Sequence, residues 1–361
     1  MSIYICLFVL NIVTIPVYIV KPKLYLFMNL IPLWTVMAFR GIRVGADTIT
    51  YSQIFYQSNT TQIPMNFFNW FAPVNGARFE NGFLLLNKII YSIYPSFRLM
   101  LVVTTTIMIL CLTFFILRLN INYVVGILVY ESMFMPFSMN VMRQALAISL
   151  CMVAFVFLIK NHVGKFLIFN YLAITMHVTA WMFLIVLIYK YLKYGWKSKI
   201  FLGLFTIIVS LFFETIYGKI SLVSNEANSF SNSVATNNMN GSLNIFVSIV
   251  LILLTFLWSR YYTKLYKVND NVLINDSYLM LLTAIAFYII ALKFSQLSRI
   301  AIYFNIGYYP ILSLLSGYTY SRKRILAFST ICMFLIVYFV VIQIFRPEWS
   351  NIVPYSIGGI I

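Results

Sequence analysis

Runs of about twenty apolar residues recur along this chain, and short segments bearing lysine or arginine close them. That pattern restricts the backbone severely. Inside a bilayer no water can pair with a free N–H or C=O, so a spanning segment must satisfy its own backbone as a helix or join a closed barrel. A barrel needs ten-residue stretches of alternating polarity, and none is present. The fold class expected is an all-α polytopic integral membrane protein with about 10–12 transmembrane helices. The apolar runs lie near 2–20, 24–39, 99–117, 121–140, 143–159, 200–217, 243–258, 272–292, 300–320 and 325–345, with 166–189 as a harder case.

Charge excludes other classes. Only 9% of the 361 residues are charged and 62% are hydrophobic, against roughly 25% charged in soluble domains. The net charge of +17 would suit a nucleic-acid binder, but the cations lie in loops between helices rather than on a soluble basic face. Cys6, Cys111, Cys151 and Cys332 sit in apolar runs without a CxxC or a histidine nearby, as small packing residues do. No basic segment precedes the first apolar run, so 2–20 reads as a membrane helix rather than a cleaved signal. Residues 1–361 are expected to form a single membrane domain.

The stretch 166–189 is long enough for one crossing, yet Lys160 and Lys165 precede it and Lys190, Lys193, Lys197 and Lys199 follow it. The positive-inside rule wants both groups in the cytoplasm. A re-entrant or broken segment turning near His177, or two short crossings, achieves this and keeps more than half of the 25 lysines and arginines inside. A single crossing inverts everything downstream and strands most of them outside. The N-terminus, the segment 40–97, the Ser/Asn-rich loop 218–242 and the C-terminal tail are then extracytoplasmic. Within 40–97, the stretch that opens at Glu80 has the spacing of an interfacial helix.

Against this background the polar boxes stand out. Charge at the centre of a bilayer costs about 2.5–3.5 kcal/mol per group on the insertion scale. FRGIRVGADTITY at 39–51 nevertheless holds Arg43 and Asp47 four residues apart. That spacing lets them face each other on a helical or turn backbone, either as a surface ion pair ending a helix or as an anion-facing arginine held by its own carboxylate. Arg143 begins a helix after the Pro136–Asn140 break, where free backbone N–H groups also favour an anion; a snorkelling interfacial arginine would look the same. Arg299 occupies a similar outer position. His177 is the one histidine inside an apolar run, placed as a proton carrier or as an ordinary hydrogen-bonded core residue. Glu131 lies mid-span, as a proton-linked site or an arginine's partner. No DxD, HExxH, P-loop or GxSxG pattern appears, and the eight acidic residues are scattered, so no metal site and no cofactor are expected.

At these boxes the chain resembles the EpsG-like branch of the Wzy polysaccharide (O-antigen) polymerases. Arg43, Val44, Gly45, Asp47, Thr48 and Tyr51 match its R-V-G-x-D-T…Y box, and Glu80, Gly82, Phe83 and Asn87 match its acidic-x-G-F box. Arg143, Gln144, Leu146 and Ala147 match R-Q-x-L-A. Lys165, Phe166, His177, Thr179 and Ala180 match the stretch leading to H-x-T/S-A. The matches run from 40 to 180 in order; beyond them only hydropathy and Arg299 correspond.

The resemblance implies a GT-C-like glycosyltransferase of the bacterial inner membrane. It would join undecaprenyl-pyrophosphate-linked oligosaccharide donors and acceptors on the periplasmic side, among membrane lipid, with a chain-length regulator as a possible protein partner and no nucleic acid. Arg43, Arg143 and Arg299 would then bind the pyrophosphate, and His177, Asp47 and Glu80 are the candidates for acid–base work. A lipid-linked oligosaccharide flippase would also need many spans and a cationic cavity, but would commonly show two related halves; no internal repeat is visible. An O-antigen ligase would use the same donor.

The topology has a direct test. In a cysteine-free background, single cysteines at 163 and 195 are both expected to resist labelling from outside. Strong labelling at 195 with none at 163 would overturn the re-entrant arrangement.

Overall fold

The computed structural model describes residues 1–63, 79–193, 195–198, 200–205, 207, 239–266, 271–316 and 322–358. The loop expected at 218–242 lies outside these residues except for its last four, and of the run 200–217 only the first part is described. Among the described residues the regular elements are helices, and extended pairing is confined to one antiparallel bridge between Arg40 and Ile357. Among the described residues five helices are long and apolar enough to cross a membrane: Phe97–Arg118, Met142–Ile159, Ser242–Tyr261, Val272–Ala291 and Ile325–Phe345. At 1.5 Å per residue such helices reach about 30 Å, the thickness of the hydrocarbon core. The protein is a polytopic α-helical membrane protein.

The chain forms two compact units, Met1–Trp181 with Ser313–Ile361, and Met182–Leu312. In the first, the apolar run 2–20 is two helices, α1 (Ser2–Val13) and α2 (Ile15–Val20). Thr14 turns its hydroxyl back onto the Leu10 carbonyl at 2.7 Å, and Pro16 in the first turn of α2 lacks the N–H that would continue the ladder. Next come α3 (Pro22–Ala38), α4 (Thr48–Gln57), α5 (Asn81–Ile93) and α6 (Phe97–Arg118). Helix α6 packs on α3 and on α9 (Met142–Ile159). A short loop with Asn161 at φ 60° then folds α10 (Val163–Met176) back along α9.

The run 121–140 contains α7 (Tyr123–Val129), a π turn over Tyr130–Phe134 and α8 (Met135–Asn140). Pro136 has no N–H for the regular ladder, and the wider turn before it absorbs the mismatch. Glu131 sits in that turn, buried, and accepts from Asn11 Nδ2 at 3.3 Å. Its partner is therefore an amide and not the arginine its position allowed for. Asn11 in turn accepts from the Tyr25 hydroxyl, and Asn29 donates to Thr14 Oγ1 at 2.9 Å. These groups line one polar seam between α1, α3 and the π turn.

After the helix Arg322–Phe345 the chain returns to the end of α3. Gly41 N–H donates to Ser356 O at 2.7 Å, Gly358 N–H to Phe39 O at 3.1 Å, and Gly45 N–H to Asn351 O at 2.7 Å. The last carbonyls of α3 are orphan acceptors at the negative end of the helix dipole. Two guanidiniums satisfy them: buried Arg40 donates to Met37 O at 2.6 Å, and Arg98 to Ala38 O and to the Arg40 carbonyl, each at 3.0 Å.

In the second unit, Met239–Tyr266 and Val272–Ala291 pack together. The run 300–320 is broken: Ser298–Phe304 ends in a tight turn at Asn305–Gly307 before Tyr308–Ser316 begins. Asn305 donates to the Tyr288 hydroxyl at 2.9 Å, which ties this break to the neighbouring helix.

Candidate functional site

Three helix ends meet in the first unit. Glu80 is the N-cap residue of α5, Arg143 the second residue of α9, and His177 the residue that closes α10. The single 24-residue apolar stretch 166–189 is thus not one helix. His177 is extended, with φ −156° and ψ 120°, and a tight 3-10 stretch, Val178–Tyr191, follows it.

Glu80 joins the three. Its Oε2 pairs with Arg143 Nη1. Its Oε1 lies 2.6 Å from His177 Nδ1 and accepts the Val178 N–H at 3.0 Å. The Arg143 guanidinium also covers the Phe79 ring, 4.2 Å from its centroid, a contact that adds to the ion pair when partly desolvated. Close approach of α5 and α10 makes the meeting possible. A Cβ on Gly82 would fall 2.5–2.6 Å from the side chain and carbonyl of Thr175. Glycine at that position lets α5 lie directly on α10, with Glu80 two residues before the contact and His177 two residues after it.

The electrostatics follow. Burial works against ionisation of Glu80, but the hydrogen bond and charge of His177, the Arg143 charge and the Val178 N–H outweigh it and bring the carboxyl down to about 2. With the carboxylate accepting at Nδ1, a neutral His177 carries its proton there and its lone pair on Nε2.

The remaining candidates divide. Asp47 is the N-cap residue of α4, half-buried. Tyr51, one turn along, is buried with Arg143 beside its phenol: burial pushes that phenol up, Arg143 opposes the rise and Asp47 adds to it. Tyr51 also packs edge-on against Phe83, with centroids 5.7 Å apart. Asp47 thereby reaches the Glu80 cluster through Tyr51.

Arg43 does not join it. It is exposed, and among the described residues it forms no ion pair with Asp47. The spacing argument fails because the backbone between them is not helical: Gly45 sits at φ +92° and breaks the turn that four-residue spacing would need. Arg299 lies exposed at the start of Ser298–Phe304, in the second unit. Motif reading passed over Phe79, and it gave Tyr51 only as the end of its box, with no role in the site. The available signals were Tyr51 one helical turn after Asp47 and Phe79 directly before Glu80. Among the described residues no three His, Cys, Asp or Glu side chains gather.

Fold and site together define a multi-pass α-helical membrane protein whose ionisable groups converge at helix ends. The model of the EpsG family matches residues 23–357, and the chain belongs to that family. The family is polysaccharide polymerase-like and of the glycosyltransferase type. The match runs through the second half, where hydropathy and Arg299 had been the only correspondences. No curated protein and no solved structure matches the chain.

Two outcomes are expected from this geometry. A carboxyl with a lowered folded pKa contributes stability above its unfolded value, near 4.5, and loses it as pH falls towards about 2. Thermal unfolding of the purified protein should show this acid-side slope, and Glu80→Gln should remove it. Gly82→Val should push α5 off α10 and lower activity about as far as Glu80→Gln does, while the protein still inserts in the membrane. Full activity of Gly82→Val would show that the close approach is dispensable.

Proposed function

We propose that this protein polymerises lipid-diphosphate-linked oligosaccharide repeat units, carried on undecaprenyl, into surface polysaccharide of the O-antigen type. The reaction takes place on the extracytoplasmic face of the cytoplasmic membrane. The observation that carries this reading is Glu80 bridging an imidazole and a guanidinium in a chain of the EpsG family. Residues 1–361 act as one GT-C-like membrane domain, with 40–97 and 218–242 outside. In this topology α10 rises to the outer face and Val178–Tyr191 returns. At about 2.0 Å per residue, a 14-residue 3-10 stretch reaches nearly across the bilayer.

In the reaction, the acceptor hydroxyl attacks the anomeric carbon of the donor sugar. A new C–O bond forms as the bond to the lipid diphosphate breaks, and the diphosphate leaves with the electron pair. His177 Nε2 takes the hydroxyl proton, and Glu80 fixes the ring and stabilises the imidazolium, as the carboxylate of a catalytic triad does. Asp47 is the second candidate for holding the acceptor hydroxyl. Arg143, with Arg43, offers donors to the diphosphate as its charge develops, which is the work a metal ion does in other transferases. Each arginine contact to that developing anion is worth roughly 10²–10³ in rate.

The test uses purified protein, lipid-linked repeat units and EDTA. Chains are expected to lengthen without divalent metal. His177→Ala and Arg143→Ala should each lower the rate at least about a hundredfold, and Arg143→Lys should not restore it, because lysine is a point charge. A strict Mg²⁺ or Mn²⁺ requirement would refute the arginine-based mechanism. In cells, deletion should leave single repeat units at the surface. Loss of even one exported unit would point to a flippase, and normal chain length with failed transfer to the lipid core would point to a ligase.

A further inference from the structure

The turn that carries Arg43 and Asp47 has little structure of its own. Between Gly41 and Thr48 it forms two local backbone bonds, Val44 N–H to Gly41 O at 3.0 Å and Thr48 N–H to Gly45 O at 3.3 Å. Two further donors, the N–H groups of Gly41 and Gly45, are taken by carbonyls more than three hundred residues away, those of Ser356 and Asn351. Gly358 completes the pairing by donating to Phe39, which places Arg40 opposite Ile357.

The far segment is itself anchored to rigid elements. Ile352 is fully buried and its carbonyl accepts the Tyr4 hydroxyl of α1 at 2.9 Å. Tyr355 donates to Val36 O in the last turn of α3 at 3.0 Å. Arg98 of α6 braces the junction from the other side: it holds the Ala38 and Arg40 carbonyls and fills the space beside Gly358. Three helices thus position the strap, and the strap positions the turn.

Arg43 needs such support. Its side chain is exposed and makes no hydrogen bond or ion pair with a described residue, so no side-chain partner anchors it and only the main chain sets where the side chain starts. We propose that Asn351–Gly358 is a positioning strap that holds the Arg43–Asp47 turn in the conformation that meets the lipid diphosphate. This rests on the assignment of Arg43 to that ligand. A misplaced cation of this kind loses both binding and orientation of the reacting bond, and displacement by about 1 Å costs up to a hundredfold.

A double-mutant cycle on the full chain separates positioning from general support. Gly358→Val forces a side chain into the Arg98 guanidinium and unseats the strap. Gly358→Val and Arg43→Ala should each lower kcat/KM for the lipid-linked donor about tenfold or more. The double variant should be no worse than Arg43→Ala alone, because a strap that acts through Arg43 has nothing left to position. Losses that multiply would overturn the proposal, since a merely structural strap harms the protein whatever stands at 43. If Gly358→Val does not insert, Tyr355→Phe, which removes one strap bond, takes its place in the same cycle. Full activity of Arg43→Ala would overturn the strap's role together with the Arg43 assignment. Loss of activity in Arg143→Ala would then leave the Glu80 centre standing.

Discussion

A single carboxylate organises the first unit. Glu80 receives a guanidinium from α9, an imidazole from the end of α10 and a backbone N–H from Val178, and it stands at the N-cap position of α5 without a side-chain bond to that helix. An unpaired carboxylate at this depth would be costly, and so would an unpaired arginine; each makes the other tolerable. The arrangement depends on the chain leaving helical geometry at His177. A continuous helix would keep its backbone N–H groups for its own ladder, whereas the extended His177 frees the Val178 N–H for Glu80. The interruption in the apolar stretch and the ion pair are thus one feature.

Much of the architecture was legible in the sequence because the bilayer enforces it. Apolar length and the requirement for internal hydrogen bonding marked Phe97–Arg118, Met142–Ile159 and Val272–Ala291 closely. Lysine placement pointed to a break near His177, where the helix does end. Hydropathy misread the interior of several runs. Thr14, Pro136 and Asn305 each interrupt a stretch that averages as apolar, because one hydroxyl, one missing N–H or one tight turn alters the ladder without altering the mean. The site was legible only as separate boxes. That Glu80, Arg143 and His177 would meet depends on Gly82 lying against Thr175, a contact between residues 93 positions apart that no local pattern encodes. Arg43 and Asp47 form no ion pair among the described residues, because Gly45 at φ +92° takes the backbone between them out of helical geometry.

The tail shows how a membrane fold uses long-range backbone pairing. The end of α3 leaves carbonyls without partners, and the loop beyond it leaves N–H groups without partners. Arg40, Arg98 and the segment Asn351–Gly358 supply both sets. Arg40 is the largest fully buried side chain described, yet its visible partner is a backbone carbonyl and no carboxylate. The negative end of α3 is its counter-charge. An arginine in the FRGIR box therefore belongs to the scaffold, while its neighbour three residues on is turned outward.

Charge balance gives these roles their logic. In the Glu80 cluster one guanidinium is offset by one carboxylate, and a neutral His177 leaves the sum near zero. A neutral cluster is poorly suited to gathering a diphosphate by charge alone. In the proposed mechanism Arg143 is joined in that task by Arg43, which has no carboxylate beside it among the described residues. In the proposed mechanism the half-buried carboxylate serves the chemistry of the hydroxyl, and the exposed arginine on its strapped turn selects the leaving group.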